Sequence, residues 1–282
     1  PLFERLIVED AMNKEENEWK PERYHEYGYF PGCVDFMDVE VKFTHLNKGD
    51  ADHASIAAAS IKLLNYADID PLVLDMNVFK CSGHDQLWQG NLEVFDALKE
   101  HNMKRLKESG IKIITCSCAE CYRTFAVDYD LPGTLGIKVE HITQTLQGRG
   151  LKFKAPENVT VSYHDPCRLG RMMGEYEAPR DLIQLVDGAT MVELENNKER
   201  ALCCGVSSMM YCNDATKAVR RKRLDQGTDA GIDIMLGGCP KCYMHMQCML
   251  NEERMNPEEG HHHDYEMMDL MQFLVACLED EK

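Results

Sequence analysis

Five cysteines fall in three groups between residues 167 and 242: Cys167 in Tyr163-His164-Asp165-Pro166-Cys167, the vicinal pair in Cys203-Cys204-Gly205, and Cys239-Pro240-Lys241-Cys242. Thirty-five residues separate Cys167 from Cys203 and 34 separate Cys204 from Cys239, so each group belongs to its own loop, with a helix-and-strand excursion between. A zinc ribbon closes on four ligands, with its second C-x-x-C about 15–20 residues from the first. This set is wider and has one thiol too many. Five thiols meeting in one place suit an assembly of several irons in which one thiolate bridges two metals, and iron–sulfur clusters are the usual destination of such sets. A zinc site and plain buried thiols stand as alternatives.

Each group follows an apolar run short enough to be a strand. Val159–Tyr163 ends at Pro166-Cys167, Thr190–Leu194 leads to Cys203-Cys204, and Ile232–Leu236 leads to Cys239. Helical patterns lie between, at 178–186 and at 215–226. The first half repeats this order. Tyr27–Phe30 ends at Pro31-Gly32-Cys33, a helix covers 55–66, Pro71–Leu74 leads to Cys81-Ser82-Gly83, a helix covers 92–109, and Ile111–Ile114 empties into Cys116-Ser117-Cys118-Ala119-Glu120-Cys121. The offsets are 134 from Cys33 to Cys167, 122 from Cys81 to Cys203, and 121 from Cys118 to Cys239 and from Cys121 to Cys242. Val139-Glu140-His141-Ile142 and Tyr265-Glu266-Met267-Met268 are read as the openings of the two terminal helices. Alternating strands and helices predict parallel sheets with right-handed crossovers, whose ligands gather at the carboxyl ends of the strands. The expected fold is α/β: two repeated Rossmann-like lobes, 27–150 and 151–282, after an N-terminal arm over 1–26, with clusters on the strand-end loops.

The 282 residues are 44% hydrophobic, enough for a core, and carry 31 Lys and Arg against 48 Asp and Glu, a net charge of −17. That balance excludes a nucleic-acid surface and an anionic membrane surface. Thirteen cysteines arranged as C-x-x-C and Cys-Cys, in a long acidic chain without a signal-like start, predict a reducing cytoplasm. Pro1 is what excision of an initiator methionine leaves, as truncation would. No apolar run reaches the ~18 residues of a membrane span, so any membrane link is expected through another subunit.

The repeated pattern of Cys, Cys-Cys-Gly and C-x-x-C resembles the cysteine-rich CCG domain found in the B-type and D-type subunits of heterodisulfide reductase and in related iron–sulfur oxidoreductases, over nearly the whole chain from Tyr29 onward. The match is strongest at His164-Asp165-Pro166-Cys167, Cys203-Cys204-Gly205 and Cys239-Pro240-Lys241-Cys242. The resemblance implies a noncubane [4Fe–4S] cluster at which a disulfide is cleaved or formed, with Cys167, Cys203, Cys204, Cys239 and Cys242 as its ligands. The first half departs from the pattern, because Ser82 replaces the second cysteine of the pair and Cys116 stands where the other half has Gly237. Cys33, Cys81, Cys116, Cys118 and Cys121 could hold a second cluster, four of them an ordinary cubane, or the lobe could be empty. No ferredoxin-like cysteine run is present, so the expected partners are a ferredoxin-like iron–sulfur subunit, a flavin or membrane redox subunit, and a thiol/disulfide substrate or small sulfur-carrier protein. The rival reading is an electron-relay subunit of a hydroxyacid or acyl-CoA-linked dehydrogenase complex.

Other residues carry smaller expectations. His164, beside the Asp-Pro-Cys loop, is a candidate to give a proton to a leaving thiolate near neutral pH, or a structural histidine. Cys212, Cys248 and Cys277 read as small buried hydrophobes, and His261-His262-His263 as an exposed linker before a helix start at Asp264. Met209, Met210, Met244 and Met246 read as core before pocket. Arg168, Arg171, Lys217, Arg220, Arg221, Lys222 and Arg223 are basic islands suited to an anionic thiol or an acidic partner.

Overall fold

A computed structural model describes residues 19–32, 34, 52–206, 213–259 and 262–279. Cys33, Cys212, Met209, Met210, His261 and residues 1–18 of the arm lie outside the described residues. The first half runs β1 (Tyr27–Phe30), α1 (Ala54–Tyr66), β2 (Leu72–Val73), α2 (His84–Trp88), α3 (Leu92–Ser109), β3 (Ile113–Cys116), α4 (Ala119–Arg123), β4 (Lys138–His141) and α5 (Ile142–Leu146). The second runs β5 (Phe153–His164), α6 (Glu177–Gln184), β6 (Val186–Met191), α7 (Asp214–Asp229), β7 (Ile234–Gly237), α8 (Pro240–Met255), β8 (Glu266–Asp269) and α9 (Leu270–Ala276). Two four-stranded sheets result, ordered β2-β1-β3-β4 and β6-β5-β7-β8. All strands in both sheets are parallel. Identical order and sense in both halves make the fold a duplication.

Two segments expected to open helices are strands. β4 pairs with β3, and β8 with β7, and the helices begin only at Ile142 and Leu270. Capping boxes set those starts: Gln144 Oε1 accepts from the His141 amide at 3.0 Å, and Gln272 Oε1 from the Asp269 amide at 3.2 Å, while the cap side chains accept from Thr143 N and Met271 N. Once the cap is fixed, the residues before it are free to pair as strand. Other strands move. β3 lies two residues later than its apolar run, β7 begins two residues late, at Ile234, β6 ends at Met191 rather than Leu194, and β5 begins six residues early, at Phe153. The β5–β6 register shifts between Lys154 and Val159, around Pro156, which has no N–H to give the ladder and hides the early strand from the pattern.

The halves pack through equivalent elements. α1 lies on α9 and α5 on α6, the two contacts that an approximate two-fold axis between the lobes would exchange. Leu63 and Leu64 of α1 share one buried cluster with Leu270, Phe273 and Leu274 of α9. Each such leucine contributes about 1.5–3 kcal/mol when fully buried. A second cluster joins Tyr122 and Phe125 to Cys239, Tyr243 and Met246. Met244 and Met246 are core, as are Cys248 and Cys277. Ahead of β1, Trp19 packs edge-on against Phe79, with centroids 5.7 Å apart. Among the described residues no helix is long and apolar enough to cross a membrane.

An ionic clasp crosses the same interface. Lys241 Nζ, on a side chain only 5% exposed, reaches Glu120 Oε2 at 2.6 Å and the two Asp85 carboxylate oxygens at 2.6 and 2.7 Å. Elsewhere His263 is not in an exposed linker: it is buried, with Nδ1 2.5 Å from Glu253 Oε2 and Nε2 3.2 Å from Asp225 Oδ1, while His262 is exposed. The reason is that α7 and α8 present these two carboxylates to the loop before β8, and Arg221 also faces Glu253, at 3.5 Å. Burial alone would lower the His263 pKa, but its bonds and charge attraction to Glu253 and then Asp225 raise it overall.

Two outcomes are expected from these contacts. Lys241→Met strands two carboxylates and should destabilise the fold by about 3 kcal/mol in urea melts, with part recovered in the Lys241→Met/Glu120→Gln double variant; no change in midpoint would refute the clasp. Because the His263 pKa is raised on folding, its contribution is fully present below about pH 6.5 and fades as pH rises through the folded value. His263→Gln should therefore lose most relative to wild type in acid and converge with it in mildly alkaline urea melts.

Candidate metal centre

Both C-x-x-C motifs straddle a helix start. Cys118 and Cys239 are the N-cap residues of α4 and α8, and Cys121 and Cys242 lie within the first turn. The N-terminal partial positive charge favours thiolate there. The Cys-Ser-Gly and Cys-Cys-Gly loops also match. The Gly83 amide donates to Cys81 Sγ at 3.5 Å and the Gly205 amide to Cys203 Sγ at 3.4 Å. Both glycines have positive φ, 77° and 74°, and a Cβ on Gly205 would collide with the Thr216 carbonyl oxygen. Only glycine turns the chain there without strain.

The sulfurs of the two halves meet. Cys121 and Cys239 each hydrogen-bond Cys118. Cys239 contacts Cys242, Cys242 contacts Cys204, Cys204 contacts Cys203, and Cys203 contacts Cys167. Seven thiols thus form one unbroken row across the lobe interface. Donation from Cys121 and Cys239 drives the Cys118 pKa well down, and donation from Cys167 and then Cys204 does the same at Cys203. The partners move the other way: the bond to Cys203 is the main reason that Cys204 is pushed up to about 12. A cavity of about 150 Å³ opens beside the row, walled by Cys167, Cys203, Cys239 and Arg168 together with Glu120 and Lys241 from the clasp.

Ser82 occupies the place of Cys204, since its Oγ lies 3.5 Å from Cys121 Sγ where Cys204 meets Cys242. Cys81 keeps the position of Cys203 on its loop. The Cβ direction of Gly32, the residue before Cys33, points at Cys121 Sγ from 3.4 Å. Cys116 is placed differently. It is the last residue of β3, paired with His141 in register and buried, and its thiol hydrogen-bonds no other thiol among the described residues. A cysteine on the strand itself does not reach the loop where the others gather.

His164 ends β5 and is buried. Arg223 Nε donates to its Nδ1 at 3.0 Å, and because a guanidinium cannot accept, the ring proton resides on Nε2. Among the described residues Nε2 has no hydrogen-bond partner, and a ring nitrogen lies within 4.8 Å of the Cys204 and Cys242 sulfurs. Burial and then the Arg223 charge lower the pKa to about 3, so the ring is neutral at physiological pH, not poised near neutrality as its type suggested. Asp165 anchors the Pro166-Cys167 turn: Arg180 bonds both its oxygens, at 2.7 and 3.0 Å, and the Lys198 amide donates at 2.9 Å.

The basic islands are mostly committed. Arg220 and Arg223 are fully buried, Arg220 donating to the Cys204 carbonyl at 3.1 Å; neither faces a substrate. Arg171 donates to the Ala201 carbonyl at 2.6 Å, and Lys217 pairs with Glu252. Arg168 instead stacks on Trp88, its Cζ 3.8 Å from the ring centre. Neither the clasp nor this stack was legible in the sequence, although Glu120 and Lys241 share the third position of their C-x-x-C motifs. The donor set suits an iron–sulfur cluster: soft ligands only, at least five converging, on glycine-shaped loops at helix N-termini.

Comparison with known proteins agrees with this geometry. The cysteine-rich domain family CCG matches twice, over residues 27–126 and 161–247. The chain is 32% identical over 213 residues to the D-type subunit of dihydromethanophenazine:CoB–CoM heterodisulfide reductase from Methanosarcina barkeri, covering 72% of this chain and 52% of that one. It is 30% identical to the probable iron-sulfur-binding oxidoreductase FadF of Bacillus subtilis, covering 73% and 30%, and 27% identical to the B-type subunit of fumarate reductase (CoM/CoB) from Methanothermobacter marburgensis, covering 90% and 47%. It spans about half or less of the length of these relatives. Among solved structures, a hypothetical protein from Helicobacter pylori superposes with a TM-score of 0.60 at 8% identity over 99% of this chain and 54% of that one, a likeness of fold. With the motif matched in both halves, the chain belongs to the cysteine-rich CCG domain family.

Proposed function

We propose that the chain is an iron–sulfur redox subunit that reduces or forms a disulfide of a thiol substrate or small sulfur carrier at a noncubane [4Fe–4S] cluster held by Cys167, Cys203, Cys204, Cys239 and Cys242. The observation that carries this reading is that these five thiols form a continuous row beside one cavity, more sulfur than a single cubane uses. When bound, such a cluster would supply electrons singly and an iron able to take a substrate sulfur, dividing a two-electron S–S cleavage into two steps. The chain's residues do the rest. Arg223 fixes the proton of the neutral His164 ring on Nε2, and a ring nitrogen lies within 4.8 Å of the Cys204 and Cys242 sulfurs, so the ring is placed to donate a hydrogen bond to a leaving thiolate. Gly83 and Gly205 let the loops bring sulfur close without strain. Cys81, Cys118 and Cys121, with Cys33, are proposed ligands of a second cluster; Cys116 has the least support. A ferredoxin-like iron–sulfur subunit and a flavin or membrane redox subunit would exchange electrons with this chain in a reducing cytoplasm.

A second reading has one observation in its favour. The row continues from Cys239 into Cys118 and Cys121, which suits a chain that only passes electrons between two clusters, as in a relay subunit of a hydroxyacid or acyl-CoA-linked dehydrogenase.

Anaerobically purified protein should contain iron and acid-labile sulfide, and show a paramagnetic state on oxidation that changes when thiol is added. Zinc without sulfide would sink both redox readings, and a cubane signal indifferent to thiols that survives Cys204→Ser would leave the relay. Cys204→Ala should abolish the thiol-dependent signal, whereas Cys81→Ala should affect mainly stability or electron entry. Equal loss of activity from Cys81→Ala with the second-half cluster retained would place the chemistry in the wrong lobe.

A further inference from the structure

Three charged side chains wall the cavity beside the thiol row: Glu120, Lys241 and Arg168. Lys241 and Glu120 neutralise each other at 2.6 Å, with Asp85 as a third member. Arg168 has no carboxylate partner among the described residues. Its Nη1 donates to the thioether of Met172 at 3.2 Å, a weak acceptor, and its Nε is buried with no partner. Arg171 and Arg223 also bond groups other than carboxylates, but each donates to protein carbonyls, whereas the acceptor of Arg168 is a thioether.

The guanidinium is also held. It lies over the Trp88 indole at 3.8 Å, close enough for a stacked cation–π contact. Trp88 comes from α2 in the first half and Arg168 from the loop after β5 in the second, so the pair exists only where the lobes meet. Arg123 adds positive potential 5.4 Å from the same ring but is itself paired with Asp128. Stacking occupies the face of the guanidinium and leaves its edge, the part that bonds the two oxygens of a carboxylate, sulfonate or phosphate in parallel. Arg168 directly follows Cys167, so an anion on that edge lies a short aliphatic chain away from the sulfurs.

We propose that Arg168, stacked on Trp88, is an anion subsite beside the thiol row, and that it selects a small thiol or disulfide bearing a carboxylate, sulfonate or phosphate. This rests on the thiol/disulfide reading above. The subsite supplies orientation: the anion is fixed at Arg168 and the sulfur at the other end of the molecule is delivered to the cavity. A neutral thiol lacks that second attachment.

Matched probes on the cluster-loaded protein test this. Calorimetric titration should give 3-mercaptopropionate about 10-fold or more tighter binding than 3-mercapto-1-propanol, from one charge-assisted pair, with inorganic sulfate competing against the first only. Arg168→Gln should erase the difference while leaving the neutral thiol within about two-fold; Arg168→Lys, which keeps the charge without the fork, should retain part of it. Should Arg168→Gln lose iron, the lysine variant and sulfate competition carry the test. Equal affinities in the wild type, or a preference that survives Arg168→Gln, overturns the subsite. Electron paramagnetic resonance in the same samples separates the two ideas. A thiol-dependent spectrum without charge preference overturns the subsite and keeps the disulfide reading. A charge preference that depends on Arg168, with a spectrum indifferent to every thiol, supports the anion subsite and sinks the reading beneath it.

Discussion

The ammonium of Lys241 is the contact on which the arrangement of this protein turns. Two helices, α4 and α8, begin at their C-x-x-C motifs and bring their N-termini together across the lobe interface, positive end to positive end. Lys241 would add a third positive charge. Glu120, at the equivalent place in the other motif, and Asp85, on α2, turn that repulsion into attraction. Burial would push the Glu120 carboxyl up, yet Lys241 and then the His84 bond hold it well below the ordinary carboxylate range. Opposite charges at one repeated position are what let Cys118 and Cys239 touch. Had both halves kept the same residue there, the two sets of thiols would face each other and stay apart.

Much of this was legible in the residues. The offset of 121 between the C-x-x-C motifs, the strand before each cysteine group and the acidic composition led to two parallel α/β lobes with thiols at their strand ends. Helix α3, expected over 92–109, lies over Leu92–Ser109. What failed was short or hidden. β4 and β8 are four residues each and carry no run of β-branched side chains; they are strands because a neighbour offers a ladder and a capping box starts the helix late. Basic residues on α7 were read as islands suited to an anionic thiol or an acidic partner, but Arg220 and Arg223 turn inward to satisfy the carbonyls and the imidazole behind the cysteine loops.

The site was half visible for a related reason. Spacing tells which residues are equivalent, and so it picked out the cysteines that meet in one row, Cys118 and Cys121 with the five of the second half. It does not tell how two equivalents dock, and so the junction from Cys118 to Cys239 and the stack of Arg168 on Trp88 were beyond it. Ser82 was seen as a loss. In the fold it is a replacement in position, an oxygen set against Cys121 where the other lobe sets a sulfur. His164 shows the limit most plainly: the residue type promises a titrating group, whereas a buried arginine 59 positions later makes it a fixed donor.

The crosswise packing of the helices has a consequence for how such a chain can change. α1 covers its apolar side with α9, and α6 with α5, so neither half owns the partner of its own outer helices. A single unit carrying these faces would leave them bare to water, and the surface that fits them best is another copy of itself turned about a two-fold axis. Joining two such copies in one chain keeps that symmetric seam and frees each copy to mutate alone. The serine in one Cys-Cys-Gly loop, and the lysine opposite a glutamate, are changes that an assembly of two identical subunits could never acquire on one side only.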